Sequence, residues 1–216
     1  MGTANKEYQA QLRQLAELML AVSGESVTMM KRNAPEQALK LKRQDEWGIY
    51  LEFLKVMFNL TDRLTALHIP IKDQLEFMNG LEDAVTTQLK AVLEPAFGNN
   101  ADQMEIVLTV GNAVAESRDL YEKYKFLITE DSKPKNELFQ AFAERVAQTL
   151  GAPQNGQVIA AATLCASAII PAVSAVLQGQ APPTAAPSTP TQPPAKAAGN
   201  GEPAKKGPTG QDIKLV

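Results

Sequence analysis

The stretch that decides the fold is Trp47-Gly48-Ile49-Tyr50-Leu51-Glu52-Phe53-Leu54-Lys55-Val56-Met57-Phe58-Asn59-Leu60. Its polar positions, Gly48, Glu52, Lys55 and Asn59, continue to Asp62 in steps of four, three, four and three. Those steps follow one line along an α-helix, so the helix is apolar everywhere except on a thin stripe. A helix of that kind is covered by neighbours on most sides. It is expected at the centre of an all-α bundle.

The flanking sequence sets the ends of this helix. Asn33 is followed three residues later by Glu36, the spacing of a capping box, and Pro35 falls in the first turn. The helix is expected to run from there to about His68, ahead of Pro70. Before it, Tyr8, Leu12, Leu15, Met19 and Val22 repeat at helix-packing intervals. They predict a first helix over about 5–22, extendable through Met29 and Met30 despite Gly24.

Further helices follow on the C-terminal side. Leu75, Met78, Val85, Leu89 and Val92 predict an inward face over about 71–93, ended by Glu94-Pro95. A turn at Gly98-Asn99-Asn100 then precedes a helix over about 101–128, with Met104, Val107, Val114, Tyr121, Tyr124 and Ile128 inward. Ser132 is placed to cap a fifth helix whose stripe is Leu138, Phe139, Phe142, Val146 and Leu150. That helix stops at Gly151, with Pro153 beyond. No stretch alternates with period two, so no strand is expected.

The last helical segment, about 155–178, differs in kind. Val158 to Leu177 is twenty residues without a charge, long enough to span a bilayer. Its eight Ile, Leu and Val residues contribute only about −2 to −5 kcal/mol on an insertion scale, and Pro171, Thr163, Ser167 and Ser174 offset them. Ile159, Ala162, Ala166, Ile169, Val173 and Val176 also form a single face that a bundle would bury. The segment is read as a packed helix, with docking into a membrane as the alternative.

After it, residues 181–216 hold 8 prolines and 7 alanines with no aromatic residue. Such a sequence cannot bury enough apolar surface to offset its ordering entropy, so a disordered tail is expected. Pro187, Pro190 and Pro193 share one ridge of a polyproline II helix, the repeat of a spacer or of a groove ligand. The organisation expected is a bundle of about six helices over 1–180 and a Pro/Ala-rich tail over 181–216.

Charge narrows the partners. Residues 1–180 carry 17 Lys and Arg against 22 Asp and Glu, a net −5, and 181–216 carry four against two. An acidic body argues against a dedicated nucleic-acid binder, which needs clustered cations to neutralise phosphates. Tyr121-Glu122-Lys123-Tyr124-Lys125-Phe126 interleaves aromatics and cations, but its aromatics fit the core stripe. One cysteine, Cys165, precludes an intramolecular disulfide and suits a reducing compartment. Lys6, Glu7, Arg13 and Glu17 interrupt any secretory leader, and Lys6 stands where a myristoylation motif wants Ser or Thr. A cytoplasmic location is expected, with membrane association as the alternative.

Chemistry-bearing constellations are sparse. One His and one Cys cannot build a structural zinc site, and His68 lacks the Glu three residues before it that di-iron bundles use. At a helix C-terminus His68 suits the dipole better than it suits a general base. Cys165 lies in apolar surroundings that disfavour its thiolate. Gly151-Ala152-Pro153-Gln154-Asn155-Gly156-Gln157-Val158 has phosphate-loop glycine spacing but offers Gln157 and Val158 where Lys and Ser or Thr are required, so it reads as an interhelical turn. Asp45-Glu46, Glu82-Asp83 and Glu130-Asp131 diverge on a helix and read as solvated charge. Asn59-Leu60-Thr61, a sequon, falls mid-helix. No residue is assigned a catalytic, cofactor-binding or metal role, and no cofactor is expected. What remains by elimination is a non-catalytic interaction or scaffold protein whose partners are proteins, with an enzyme ranked behind it.

Overall fold

The computed structural model describes residues 7–97, 103–125 and 137–180, all within one compact unit, Met1–Pro183. Among the described residues there are seven helices and no strand. They are α1 (Gln9–Asn33), α2 (Pro35–Ala38), α3 (Arg43–His68), α4 (Ile71–Phe97), α5 (Gln103–Tyr121), α6 (Glu137–Thr149) and α7 (Gly156–Leu177). The protein is an all-α bundle. The turn expected at 98–100, the cap at Ser132, Ile128, the Glu130-Asp131 pair and the 181–216 segment lie outside the described residues.

α3 is the hub. It packs against each of the five other long helices, and Phe53, Leu54, Val56, Met57, Phe58 and Leu60 are all buried. Its length was overestimated from sequence. Asn33 does not cap it: the Asn33 amide donates to the Met29 carbonyl at 2.9 Å and so closes α1 instead. Pro35 then starts the single turn of α2, Leu41 tucks against the core, and Lys42 turns extended (φ −90°, ψ 163°) as the true N-cap of α3. The Lys42 backbone N–H donates to Asp45 Oδ2 at 2.9 Å, satisfying a donor that the helix itself leaves free.

α1 runs unbroken past Gly24 to Asn33. Gly24 faces solvent, where its cost of about 1 kcal/mol is outweighed by the packing of Met19, Leu20 and Met30. α4 likewise continues past Pro95 to Phe97. The proline removes only the bond to the Ala91 carbonyl, which lies on the exposed side, one turn from the helix end. Pro171 in α7 is tolerated for the same reason: it and Ser167, whose carbonyl it frees, both face outward.

The C-terminal pair carries well-formed end signals. Gly151 (φ 76°) ends α6, with Gly151 N–H on the Gln148 carbonyl at 3.0 Å and Ala152 N–H on Ala147 at 2.8 Å. Asn155 Oδ1 caps α7, accepting from the N–H groups of Gln157 and Val158 at 3.0 and 3.2 Å. Gly179 (φ 72°) closes α7 in the same way as Gly151 closes α6. Within the Gly151–Val158 stretch, 151–155 form the interhelical turn and Gly156 opens α7. Val158, Ala162, Ala166, Ile169, Val173 and Val176 are buried against α1, α3 and α6.

Two faces differ from the sequence reading. In α4, Phe77, Met78, Leu81, Val85 and Leu89 are buried, while Leu75 and Val92 are exposed. In α5 the buried side is Ile106, Val110, Ala113, Ser117 and Tyr121; Met104 and Val107 point outward, and the helix ends at Tyr121. α4 and α5 pack side by side, and a Cβ at Gly111 would lie in ordinary contact, 3.5 Å, from Glu82 Oε1 of α4.

Candidate functional site

Two features of the folded unit carry functional information: a polar cluster buried between α3, α5 and α6, and an apolar surface where α4 meets α5.

The polar cluster arises from the thin stripe of α3. The stripe is not open to solvent: Glu52, Lys55 and Asn59 are buried. Arg145 of α6 clamps the Glu52 carboxylate in a fork, Nε to Oε2 at 2.9 Å and Nη2 to Oε1 at 3.0 Å. Lys55 Nζ reaches the same Oε1 at 3.1 Å and Glu116 of α5 at 2.6 Å. Two anions thus meet two cations, which is how a low-dielectric site tolerates charge. Further along, Asn59 Nδ2 donates to the Ser117 carbonyl at 3.4 Å, and Arg63 donates to Asn59 Oδ1 at 2.9 Å and to the Tyr121 carbonyl at 2.8 Å. The sequon asparagine is therefore an interior bracket between α3 and α5. The Arg63–Tyr121 bond also holds the carbonyl that ends α5, which accepts from the Tyr124 N–H at 3.1 Å as well.

Burial alone would raise the Glu52 carboxyl, but the Arg145 hydrogen bonds and the Arg145 and Lys55 charges outweigh it and hold Glu52 below the ordinary carboxylate range. The Tyr121 hydroxyl lies in the same interior without a partner at hydrogen-bond geometry. Burial, then the Glu52 charge, pushes it up. A general base needs a pKa near the working pH and a free lone pair. Glu52 lacks the first, and both its oxygens are already engaged by cations. The cluster locks three helices in register.

The other residues singled out from sequence are scattered. His68 is the last residue of α3, half-buried. Cys165 sits half-buried on α7 with its sulfur 3.7 Å from Met29 Sδ, and burial pushes its thiol up. Asp45 accepts from Lys42 and Glu46 pairs with Lys31, so these adjacent acids diverge. Tyr121 is core and Tyr124 half-buried, with Lys123 Nζ 5.2 Å from its ring centroid. Among the described residues no group of three or more His, Cys, Asp or Glu could hold a metal ion.

The apolar surface was hidden in the sequence, because Val92, Met104 and Val107 were assigned to the core. Val92 is 61% exposed, Met104 63%, Val107 42% and Leu108 56%. Met104, Val107 and Leu108 lie within one turn on the outer side of α5. Lys90 Nζ meets Gln103 Oε1 at 3.3 Å, so the end of α4 carrying Val92 flanks the start of α5.

Comparison with known protein families, curated proteins and solved structures finds no match. Function must therefore be argued from these surfaces alone. Met104, Val107 and Leu108 expose large apolar side chains within one turn of α5, with Val92 exposed on the neighbouring α4; Leu67, Ile71 and Leu75 are likewise exposed where α3 meets α4. Soluble surfaces carry single exposed apolar residues routinely, whereas clustered ones mark contacts.

Proposed function

We propose that the protein is a non-catalytic helical interaction module of the adaptor or scaffold kind, working in the cytoplasm and presenting the outer side of α5 with the end of α4 to a protein partner. The observation that supports the reading is the exposure of Val92, Met104, Val107 and Leu108 together. A helix face with anchors at i, i+3 and i+4 is a recurrent mode of helix-to-protein docking. The test is a photocrosslinker placed at Val107 in the full chain, with and without Leu108→Glu. A discrete crosslinked partner that disappears in the folded Leu108→Glu variant supports the reading. The same adducts in both proteins, or none, contradict it.

A second reading, docking of 158–177 into a bilayer, is favoured by one observation: the outer face of α7, Ala160, Leu164, Ser167, Ala168 and Pro171, carries no charge. α7 is also the one described helix long and apolar enough to cross a membrane. Insertion would require α7 to give up its packing on α1, α3 and α6. Carbonate-resistant sedimentation of the full chain with membranes, lost in Leu164→Glu, would favour this reading over the first.

A further inference from the structure

The corner between α2 and α3 is built unlike the rest of the surface. Leu39 is 90% exposed, whereas Leu41 two residues later is packed against the core. The corner is thus anchored by one leucine and tipped by another. Residues 31–43 contain five cations, Lys31, Arg32, Lys40, Lys42 and Arg43, against one acid, Glu36. Lys31 is engaged by Glu46, and the other four cations are exposed. Asp45, hydrogen-bonded back to the Lys42 N–H, and Glu46 follow, so residues 31–46 carry five cations against three acids, a net +2. The α6–α7 turn at Thr149–Gly151 shares a notch of about 280 Å³ with Lys40 and Leu41. It adds no counter-charge, since no charged residue occurs between Val146 and Gln180. A protein whose residues 1–180 carry net −5 therefore gathers exposed positive charge around one protruding aliphatic side chain.

We propose that this corner docks the protein on an anionic phospholipid surface, with Leu39 entering the headgroup–acyl boundary and Arg32, Lys40, Lys42 and Arg43 meeting lipid phosphates and carboxylates. The chemistry favours a bilayer over other polyanions. A nucleic acid offers phosphates but no apolar layer for Leu39, and the nearest aromatic rings, Trp47 and Tyr50, are stacked on each other at 5.0 Å rather than free to receive bases. A protein partner's contact would call for a desolvated aromatic anchor, which the corner does not expose, and Lys40 and Lys42 are of the type depleted in such contacts. Basic residues around an exposed leucine match the interfacial pattern, in which charge attracts and a shallow apolar side chain holds. The inference is independent of the α4–α5 surface and of membrane insertion through α7.

The experiment uses the full chain and sedimentation with extruded vesicles of phosphatidylcholine, alone or with about 30% phosphatidylserine, at about 0.05 M and about 0.5 M salt. Binding is expected only with phosphatidylserine and only at low salt. Each cation near an anionic surface is worth about fivefold, so Lys40→Gln, Lys42→Gln and Arg43→Gln together should weaken binding about a hundredfold. Leu39→Ser alone should weaken it roughly tenfold. All four positions are exposed, and far-UV circular dichroism checks that the variants remain folded. Because the 181–216 segment also carries lysines, the variants rather than binding itself are the decisive comparison. Equal binding to both vesicle types, or variants within twofold of the parent, overturns the proposal. So does loss of binding in Leu164→Glu with the corner variants unaffected, or duplex binding that the triple variant abolishes without any vesicle binding.

Discussion

Replacing Arg145 by leucine tests whether the interior charge cluster holds the bundle together. The substitution removes both arms of the fork on Glu52 and leaves a carboxylate whose side chain is 7% exposed, with Lys55 still 3.1 Å from Oε1 and Oε2 deprived of its partner. Breaking a fully buried pair costs about 3–5 kcal/mol. Arg145 itself is 39% exposed and Lys55 retains part of the attraction, which places the cost near the lower limit, about 3 kcal/mol. At a urea dependence of about 2 kcal/mol per molar, the midpoint should fall by roughly 1.5 M. Urea unfolding followed by circular dichroism measures this directly. In a double-mutant cycle with Glu52→Gln, the coupling should reach about 2 kcal/mol. The pH dependence has a definite sign. The Glu52 pKa is lowered on folding, so the cluster's contribution is complete above the unfolded carboxylate value of about 4.3 and is lost as pH falls through the lower folded value. The gap between parent and Arg145→Leu should be widest at neutral pH and narrow as acid protonates Glu52, first in the variant, where burial acts without the Arg145 fork. A cost under about 1 kcal/mol with additive effects, the behaviour of an exposed pair, would refute the reasoning.

Two further outcomes follow from the packing. Phe142 is fully buried with its ring 4.9 Å from that of Phe53 in an edge-to-face contact, so Phe142→Ala should cost about 3–5 kcal/mol, read from the same urea curves. Asn155→Ala removes the cap from α7 and should cost about 1 kcal/mol, whereas Asn155→Ser should be nearly silent; thermal unfolding of the three proteins distinguishes them.

How much of this was legible in the sequence depended on how local the cause was. The ends of α6 and α7 were written in Gly151, Pro153 and Asn155, each acting on backbone groups a few residues away. The central position of α3 followed from its near-continuous apolar surface. Its polar stripe was legible as a stripe but not as an interior one, because Glu52 finds Arg145 at a separation of 93 residues. Nothing in a single sequence marks such a pairing. The faces of α4 and α5 failed for a related reason. Leu75, Met104 and Val107 have the same character as Met78 and Val110, and periodicity offers more than one apolar line along each helix. Which line turns inward depends on how the helices pack against one another, which no local pattern states. The apolar surface was therefore invisible until the helices were packed. The start of α3 was misplaced because Asn33 has two uses, capping the next helix or closing its own, and the sequence fits both.

The claim on which everything rests is that α3 is the buried axis of the bundle. Hydrogen exchange of the native protein, resolved by peptide, tests it most directly. Amides from Phe53 to Thr61 should exchange only through global unfolding and be the slowest in the chain, while those of α2 and the end of α4 past Pro95 should exchange orders of magnitude faster. Exchange of the Phe53–Thr61 amides as fast as that of α2 would contradict the account.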